Sequence, residues 1–262
     1  MIVKLNLYSV KMATYKAEMA KKTVSIPARV RRAANMAAFA RTSRKSSASR
    51  PIGGAKDAPY HHGALRDALL EAAERVLERE GLSGLTLRAV AREAGVSHAA
   101  PTHHFGDLAG LVSELAAIGF QQFNTAMAAA GAAEGSPTEK AMARAKAYIA
   151  YAQAHPGVYG LMFRTERLDM SRPSLKQAAS AAFAGLAGAI GASRHEQISE
   201  QALSLDQAAA IARAWCLVHG FTMLLLDGRL CDILRRLPEG TDVETLLEAM
   251  LRSPIARPGR DA

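Results

Sequence analysis

An all-α fold is predicted for this 262-residue chain by three observations. Aromatic residues are only 5% of it, alanine recurs throughout and β-branched runs are scarce, which favours helices over strands on intrinsic propensity. From Ala64 onward apolar residues return at intervals of three and four, the period of a helix with one buried face. Ser, Thr and Asp stand where these runs begin and Gly where several end, as helix caps require. Hydrophobic residues at 49% of the chain are enough for a packed core.

The elements follow in order. Leu65, Leu69, Ala72, Ala73, Val76 and Leu77 define a first helix over 64 to 80, stopped by Gly81. Thr86 caps a second over 87 to 94, and Gly95 ends it in a left-handed conformation. Ser97 caps a third over 98 to 104; with Ser97 or His98 as the cap, Pro101 falls in or at the edge of the first turn, where its missing N–H costs little. Asp107 caps a long amphipathic helix through Leu108, Leu111, Val112, Leu115, Ile118 and Phe123. Four reciprocal capping pairs, Ser136/Glu139, Ser174/Gln177, Ser204/Gln207 and Thr241/Glu244, announce later helices. These run near 137 to 154, 156 to 165, 174 to 191, 205 to 228 and 242 to 252, about nine helices in all. The Ala/Gly-rich run over 181 to 192 reads as a helix that lets a neighbour approach closely; its glycine spacing fits no phosphate-binding loop.

Charge divides the chain. Residues 1–59 hold 13 Lys/Arg and 2 acids, a net of +11, and residues 60–262 carry a net of −2. The first segment is predicted to be a basic disordered extension, and three origins fit it: an arm that touches nucleic acid, an organelle transit peptide, or translation from too early a start, with Met12, Met19 and Met36 as later ones. Cys216 and Cys231 lack disulfide or zinc spacing and read as reduced thiols of a cytoplasmic protein. The longest uncharged stretches, 115–133 and 177–193, are diluted with polar residues and Gly, so no membrane span is expected.

The stretch VAREAGVSHAAPTHHF, residues 90–105, carries three histidines. His103 and His104 are adjacent and point in different directions on a helix, and no cysteine or carboxylate cluster assists them, so no metal site is expected. Helix, tight turn with Gly95, helix is instead the arrangement in which one helix braces another in the DNA major groove, with the motif spanning about 87 to 106. Histidine can donate to phosphate or to a base edge, although an ordinary one is mostly neutral at pH 7.

Over residues 65–111, LRDALLEAAERVLEREGLSGLTLRAVAREAGVSHAAPTHHFGDLAGL resembles the DNA-binding domain of the TetR family of transcriptional regulators. HPGVYGLMF (155–163) and AWCLVHGFTMLLLDGRL (214–230) resemble a subgroup whose C-terminal domain carries a Trp-His-Gly-like signature, present here as Val218-His219-Gly220. The resemblance implies a DNA-binding domain over 60–123 and a C-terminal effector-binding and dimerisation domain over 124–255. It also implies a homodimer joined through helices about 205–228 and 242–252. Such a dimer would bind double-stranded operator DNA of near-palindromic sequence as a repressor and respond to an unknown small-molecule effector. The DNA-binding candidates are Thr86, Arg88, Arg92, Ser97, His98, Ala99, Ala100, Thr102, His103 and His104. Two positions depart from the family pattern: Thr102 replaces a Tyr that packs on the DNA backbone, and Leu108 replaces a Lys that meets phosphate. Residues 97–105 contain no Lys or Arg, so electrostatic affinity falls to Arg88, Arg92, helix N-termini and the basic extension.

Large or polarisable side chains of the C-terminal part, Tyr148, Tyr151, Tyr159, Met162, Phe163, Phe183, Trp215, His219 and Met223, are the candidates for lining an effector pocket. Core packing alone would select many of the same residues. Polar tips on Tyr, Trp and His, with adaptable Met among small Ala and Gly, suit a largely apolar or aromatic ligand. No cofactor is implied. The catalytic signatures HExxH, GxSxG, Walker loop and paired CxxC are absent, and His155 with Glu166 or His195 with Glu196 reads better as surface pairs than as acid/base catalysts, so the chain is not expected to be an enzyme. A helical protein-interaction adaptor, or a small-molecule-binding enzyme, is the alternative class.

Overall fold

The computed structural model describes residues 62–199 and 202–252. The basic extension over 1–59, with His61 and the chain beyond Arg252, lies outside the described residues. Ten helices are present among those described: α1 (His62–Gly84), α2 (Leu87–Ala94), α3 (Ala99–Phe105), α4 (Leu108–Gly131), α5 (Pro137–Ala154), α6 (Pro156–Met162), α7 (Pro173–Arg194), α8 (Leu205–Leu226), α9 (Cys231–Leu234) and α10 (Val243–Arg252). A 3-10 turn occupies Thr165–Arg167, and an isolated bridge joins Ser199 to Ala202; no strand forms among the described residues. The predicted all-α class is therefore the observed one.

Local chemistry explains most boundaries. Thr86 Oγ1 accepts from Ala89 N at 3.1 Å and starts α2. At its end Gly95 adopts φ 68°, and the amides of Gly95 and Val96 donate back to Arg92 O and Ala91 O. This paired closure needs a left-handed residue, which glycine supplies without a Cβ penalty. Val96 then packs against the core, fixing the angle at which α3 leaves. Asp107 Oδ1 accepts from Gly110 N at 2.7 Å and starts α4. The capping boxes of Ser136/Glu139 and Ser204/Gln207 form with both bonds in place.

Three expected caps are corrected. Ser97 is not a side-chain cap; His98 takes the N-cap position of α3 without a capping bond. Ser174 does not cap α7, because its hydroxyl donates to Glu114 Oε1 at 2.9 Å across the fold, and the helix starts at Pro173 after Arg172. Thr241 is displaced by its neighbour Asp242, whose carboxylate accepts from Thr245 N at 2.8 Å. The about nine helices expected are joined by α9, whose four residues are too short for any periodicity to show. As expected, the first helical run breaks at Gly81 (φ 70°, ψ −177°), and only a short turn continues beyond it to Gly84; α4 continues to Gly131, well past Phe123.

One core joins the N-terminal helices to those that follow. Leu69, Val76, Val90, Phe105, Leu111, Leu115, Tyr159 and Leu175 are all buried in it. A second cluster, around Ile149, Phe221, Leu225 and Leu247, ties α5, α8 and α10. The helix α4 runs unbroken through position 123, so both parts of the chain share it.

The apolar contact between α1 and α6 carries a polar anchor at its edge. Glu78 Oε1 accepts from Gly157 N at 3.0 Å and Val158 N at 3.2 Å, placing a carboxylate on the N-terminus of α6. Beside it His155 Nδ1 stands 3.6 Å from Glu74 Oε1, and that carboxylate raises the imidazole above its ordinary value. A group with a raised folded-state pKa contributes stability that is complete below its unfolded pKa and is lost as pH rises through the folded one. His155→Gln is therefore expected to narrow its stability gap to the parent as pH rises from about 5.5 to 8.5, given an unfolded value of about 6.5. Burial lowers His219, which acts in the opposite sense, so thermal melts of parent and variant across that range isolate the His155 contribution.

Candidate nucleic-acid interface and aromatic centre

Helix α3 has two faces of different character. Pro101 and Phe105 are buried against the core, with Pro101 at the third helical position. Ser97, His98, Ala99, Thr102 and His103 are exposed, and Ala100 and His104 are half-buried at the margins. The His103 and His104 rings meet edge to face with centroids 5.4 Å apart. Among the described residues no three His, Cys, Asp or Glu side chains converge as a metal site. The exposed strip mixes small and polar side chains and holds no Lys, Arg, Asp or Glu, a surface that can approach base edges closely.

The cations lie on α2. Thr86, Arg88 and Arg92 are all exposed, and neither arginine is in an ion pair among the described residues. The acid beside them is neutralised: Glu93 accepts from Arg75 Nε at 3.0 Å and Arg79 Nη2 at 2.9 Å, and those guanidinium groups hold its carboxyl below the usual range. The two free arginines thus present their charge without a competing carboxylate, which suits phosphate contacts flanking a reading helix.

Five of the nine effector candidates come together in the C-terminal part. The hydroxyls of Tyr148 and Tyr159 lie 3.0 and 2.8 Å from His219 Nδ1, and Tyr159 Oη donates to Tyr148 Oη at 3.1 Å. Burial pushes the Tyr148 phenol up to about 12 and raises Tyr159 as well, so both hydroxyls keep their protons. With Nδ1 bare, Tyr159 donates to Tyr148 and Tyr148 to Nδ1, and both phenolic protons are used. A neutral ring with its proton on Nε2 is thus the tautomer that uses both phenolic protons within the triad. Burial also lowers the pKa of His219, favouring the neutral ring.

Phe163 packs on the His219 ring with centroids 4.5 Å apart, and Trp215 lies 6.4 Å from each. Tyr151 is separate in role, its hydroxyl donating to Gly119 O at 2.9 Å. Met162 is buried, Met223 packs against the core, and Phe183 makes no ring contact with the cluster. Two residues absent from the expected set join it: Phe123 stacks edge to face on Tyr148 at 5.0 Å, and Phe120 lies 6.0 Å from Phe163. Their positions on the apolar face of α4 were readable, but core packing accounted for them.

Two cavities of about 220 and 360 Å³ lie at the far ends of α4 and α7 and do not touch this cluster. The catalytic pairs weighed from sequence do not form. His155 faces Glu74, and Glu196 is bound by Arg194.

A three-helix head with a braced, exposed third helix, set on a helical body, defines a helix-turn-helix DNA-binding transcriptional regulator. The family described as "Bacterial regulatory proteins, tetR family" matches residues 69–115, and "Tetracyclin repressor-like, C-terminal domain" matches residues 141–253. The chain belongs to the TetR family. Among solved structures, a protein of unknown function from Rhodococcus sp. RHA1 is 32% identical with a TM-score of 0.59, covering 74% of this chain and 94% of that one. The putative regulatory protein SCO4313 is 21% identical, with a TM-score of 0.57 over 75% of this chain and 97% of that one. FadR from Bacillus subtilis, solved in complex with stearoyl-CoA, is 16% identical, with a TM-score of 0.52 over 71% and 95%. The last two support the fold alone. No curated protein matches the chain.

Proposed function

We propose that this chain is a cytoplasmic, effector-responsive repressor that binds a near-palindromic operator as a homodimer and acts by binding, not catalysis. The observation that carries this reading is the exposed strip of α3 over His98, Ala99, Thr102 and His103, braced by the closed turn at Gly95. Residues 60–123 read DNA, and residues 124–255 bind effector and form the dimer. The second copy packs on α8 and α10. In support, α8 is apolar enough to have the composition of a membrane span, yet less than a quarter of its apolar window is buried within one chain.

The Trp-His-Gly-like subgroup is also proposed, because His219 of Val218-His219-Gly220 is the residue both tyrosines bind. The effector is a small, largely apolar or aromatic molecule that displaces part of the aromatic packing and meets the Nε2 proton of His219. By favouring a dimer with the wrong separation of reading helices it lowers operator affinity, by a coupling of about 1 to 3 kcal/mol that must be reciprocal.

A salt-dependent mobility shift of the full chain on the DNA upstream of its own gene tests the reading. Each arginine that neutralises a phosphate contributes about one unit to the slope of log affinity against log salt. Arg88→Ala with Arg92→Ala is expected to lower that slope by about two units and to weaken binding similarly on all sequences. An unchanged slope would remove α2 from the interface.

A further inference from the structure

Phe105, the last residue of the reading helix α3, has a backbone carbonyl that no later turn of the helix can bond. It is bonded from elsewhere. Arg172, the residue immediately before α7, donates from Nη2 to Phe105 O at 2.9 Å. A guanidinium at a helix C-terminus satisfies both the orphan carbonyl and the negative end of the helix dipole. The cap of the reading helix is thus supplied from the C-terminal part of the chain, 67 residues away.

The arginine is itself held. Its Nη1 lies 3.6 Å from Glu114 Oε1 on α4, and its Nε, buried without a hydrogen bond, lies 3.5 Å from Asp169 Oδ2. The other oxygen of Glu114 accepts from Arg66 Nη2 at 2.6 Å, and the Arg66 guanidinium sits 5.6 Å over the Phe105 ring. One carboxylate therefore anchors two arginines, one on the carbonyl of Phe105 and one on its ring. The site is also fitted to glycine at position 110, where a Cβ would lie 2.1 Å from Phe105 O and 2.3 Å from Arg172 Nη2.

We propose that Arg172, anchored by Glu114, is the positioning residue that ties the reading helix to the joint of α4 and α7, so that a displacement of that joint is passed directly to the end of α3. This rests on the DNA-binding reading above and adds the route by which the C-terminal part controls it. Further along, Asn124 Nδ2 donates to Ala178 O at 3.0 Å, and Leu175 and Ala178 are buried in the shared core, so α7 is held to α4 beyond its first turn.

The test compares the full chain with Arg172→Gln and Arg172→Lys by amide hydrogen exchange and by mobility shift on the upstream DNA. Arg172→Gln is expected to raise exchange across residues 99–106 by about tenfold or more, with residues 243–252 unchanged, and to weaken DNA binding by about tenfold. Arg172→Lys, which keeps a cation at the helix end but lacks the fork, should fall between. Unchanged exchange over 99–106, or an equal rise along the whole chain, would overturn the clamp. A parent chain that binds DNA while Arg172→Gln binds equally well would overturn its role in reading. Failure of the parent chain itself to bind would instead refute the DNA-binding reading.

Discussion

Tyr159→Ala is expected to cost about 3–5 kcal/mol of folding stability, the range for truncating a large buried aromatic side chain. Tyr159 is fully buried, and its ring packs on Phe163 at 5.1 Å, Tyr148 at 5.8 Å and His219 at 5.9 Å. Removing it opens a cavity among three rings and strips Tyr148 Oη of its donor. Tyr159→Phe separates the two effects, since it keeps the packing and loses the hydroxyl. Its expected cost is about 1–3 kcal/mol, the penalty for leaving buried polar partners short of a bond. Urea unfolding at constant m-value reads both. Equal costs for the two variants would mean that the hydrogen-bonded triad, not the packing, dominates; a cost near zero for both would mean that the cluster is loosely filled.

Replacing Trp215 and Leu224 with glutamate is expected to dissociate the proposed dimer by at least about a hundredfold, since an unpaired buried charge costs about 3–5 kcal/mol. Leu205 is 87% exposed in the single chain, and Trp215 and Leu224 are each 43% exposed. Helical geometry sets Ala209, Ala212, Cys216 and Gly220 along the middle of the same side of α8, flanked by Trp215 and Leu224. Small residues in the middle with large apolar ones at the margins allow a second helix to approach closely. A Cβ at Gly220 would meet nothing within the chain. Gly220→Leu therefore gives a second signature. It should stabilise an isolated helix by somewhat less than about 0.8–1.0 kcal/mol, the handicap of glycine relative to alanine, while weakening self-association. Sedimentation against concentration measures the association. A parent chain that stays monomeric would leave this apolar side of α8 to another partner.

The helices were legible in the sequence because their signals act within a few residues. Thr86, Gly95, Asp107, Ser136 and Ser204 each fix a boundary through bonds to neighbours in the chain. The failures are cases in which a distant group competed. Ser174 had the right spacing for a capping box, but Glu114 took its hydroxyl. Thr241 lost to Asp242, whose charged oxygen is the stronger acceptor. Arg172 could not be found, since nothing in residues 169–176 signals a carbonyl at position 105. Within the aromatic centre the residue types were readable and the partners were not. Tyr148, Tyr159 and His219 converge only because α5, α6 and α8 pack together, which also leaves Phe183 on α7 apart from them.

The claim on which the rest depends is that the exposed strip of α3 reads base edges. Selecting preferred sequences from a random duplex pool, with the parent chain and with His98→Ala and His103→Ala, tests it most directly. The parent should select two half-sites about one helical turn apart, about 10 base pairs centre to centre or a multiple of that, as two symmetric reading helices require. Each histidine variant should lose preference at one base pair in each half-site, by about 1–3 kcal/mol, with the salt slope unchanged. Variants that select the same sequence as the parent with undiminished preference at every position would contradict the account.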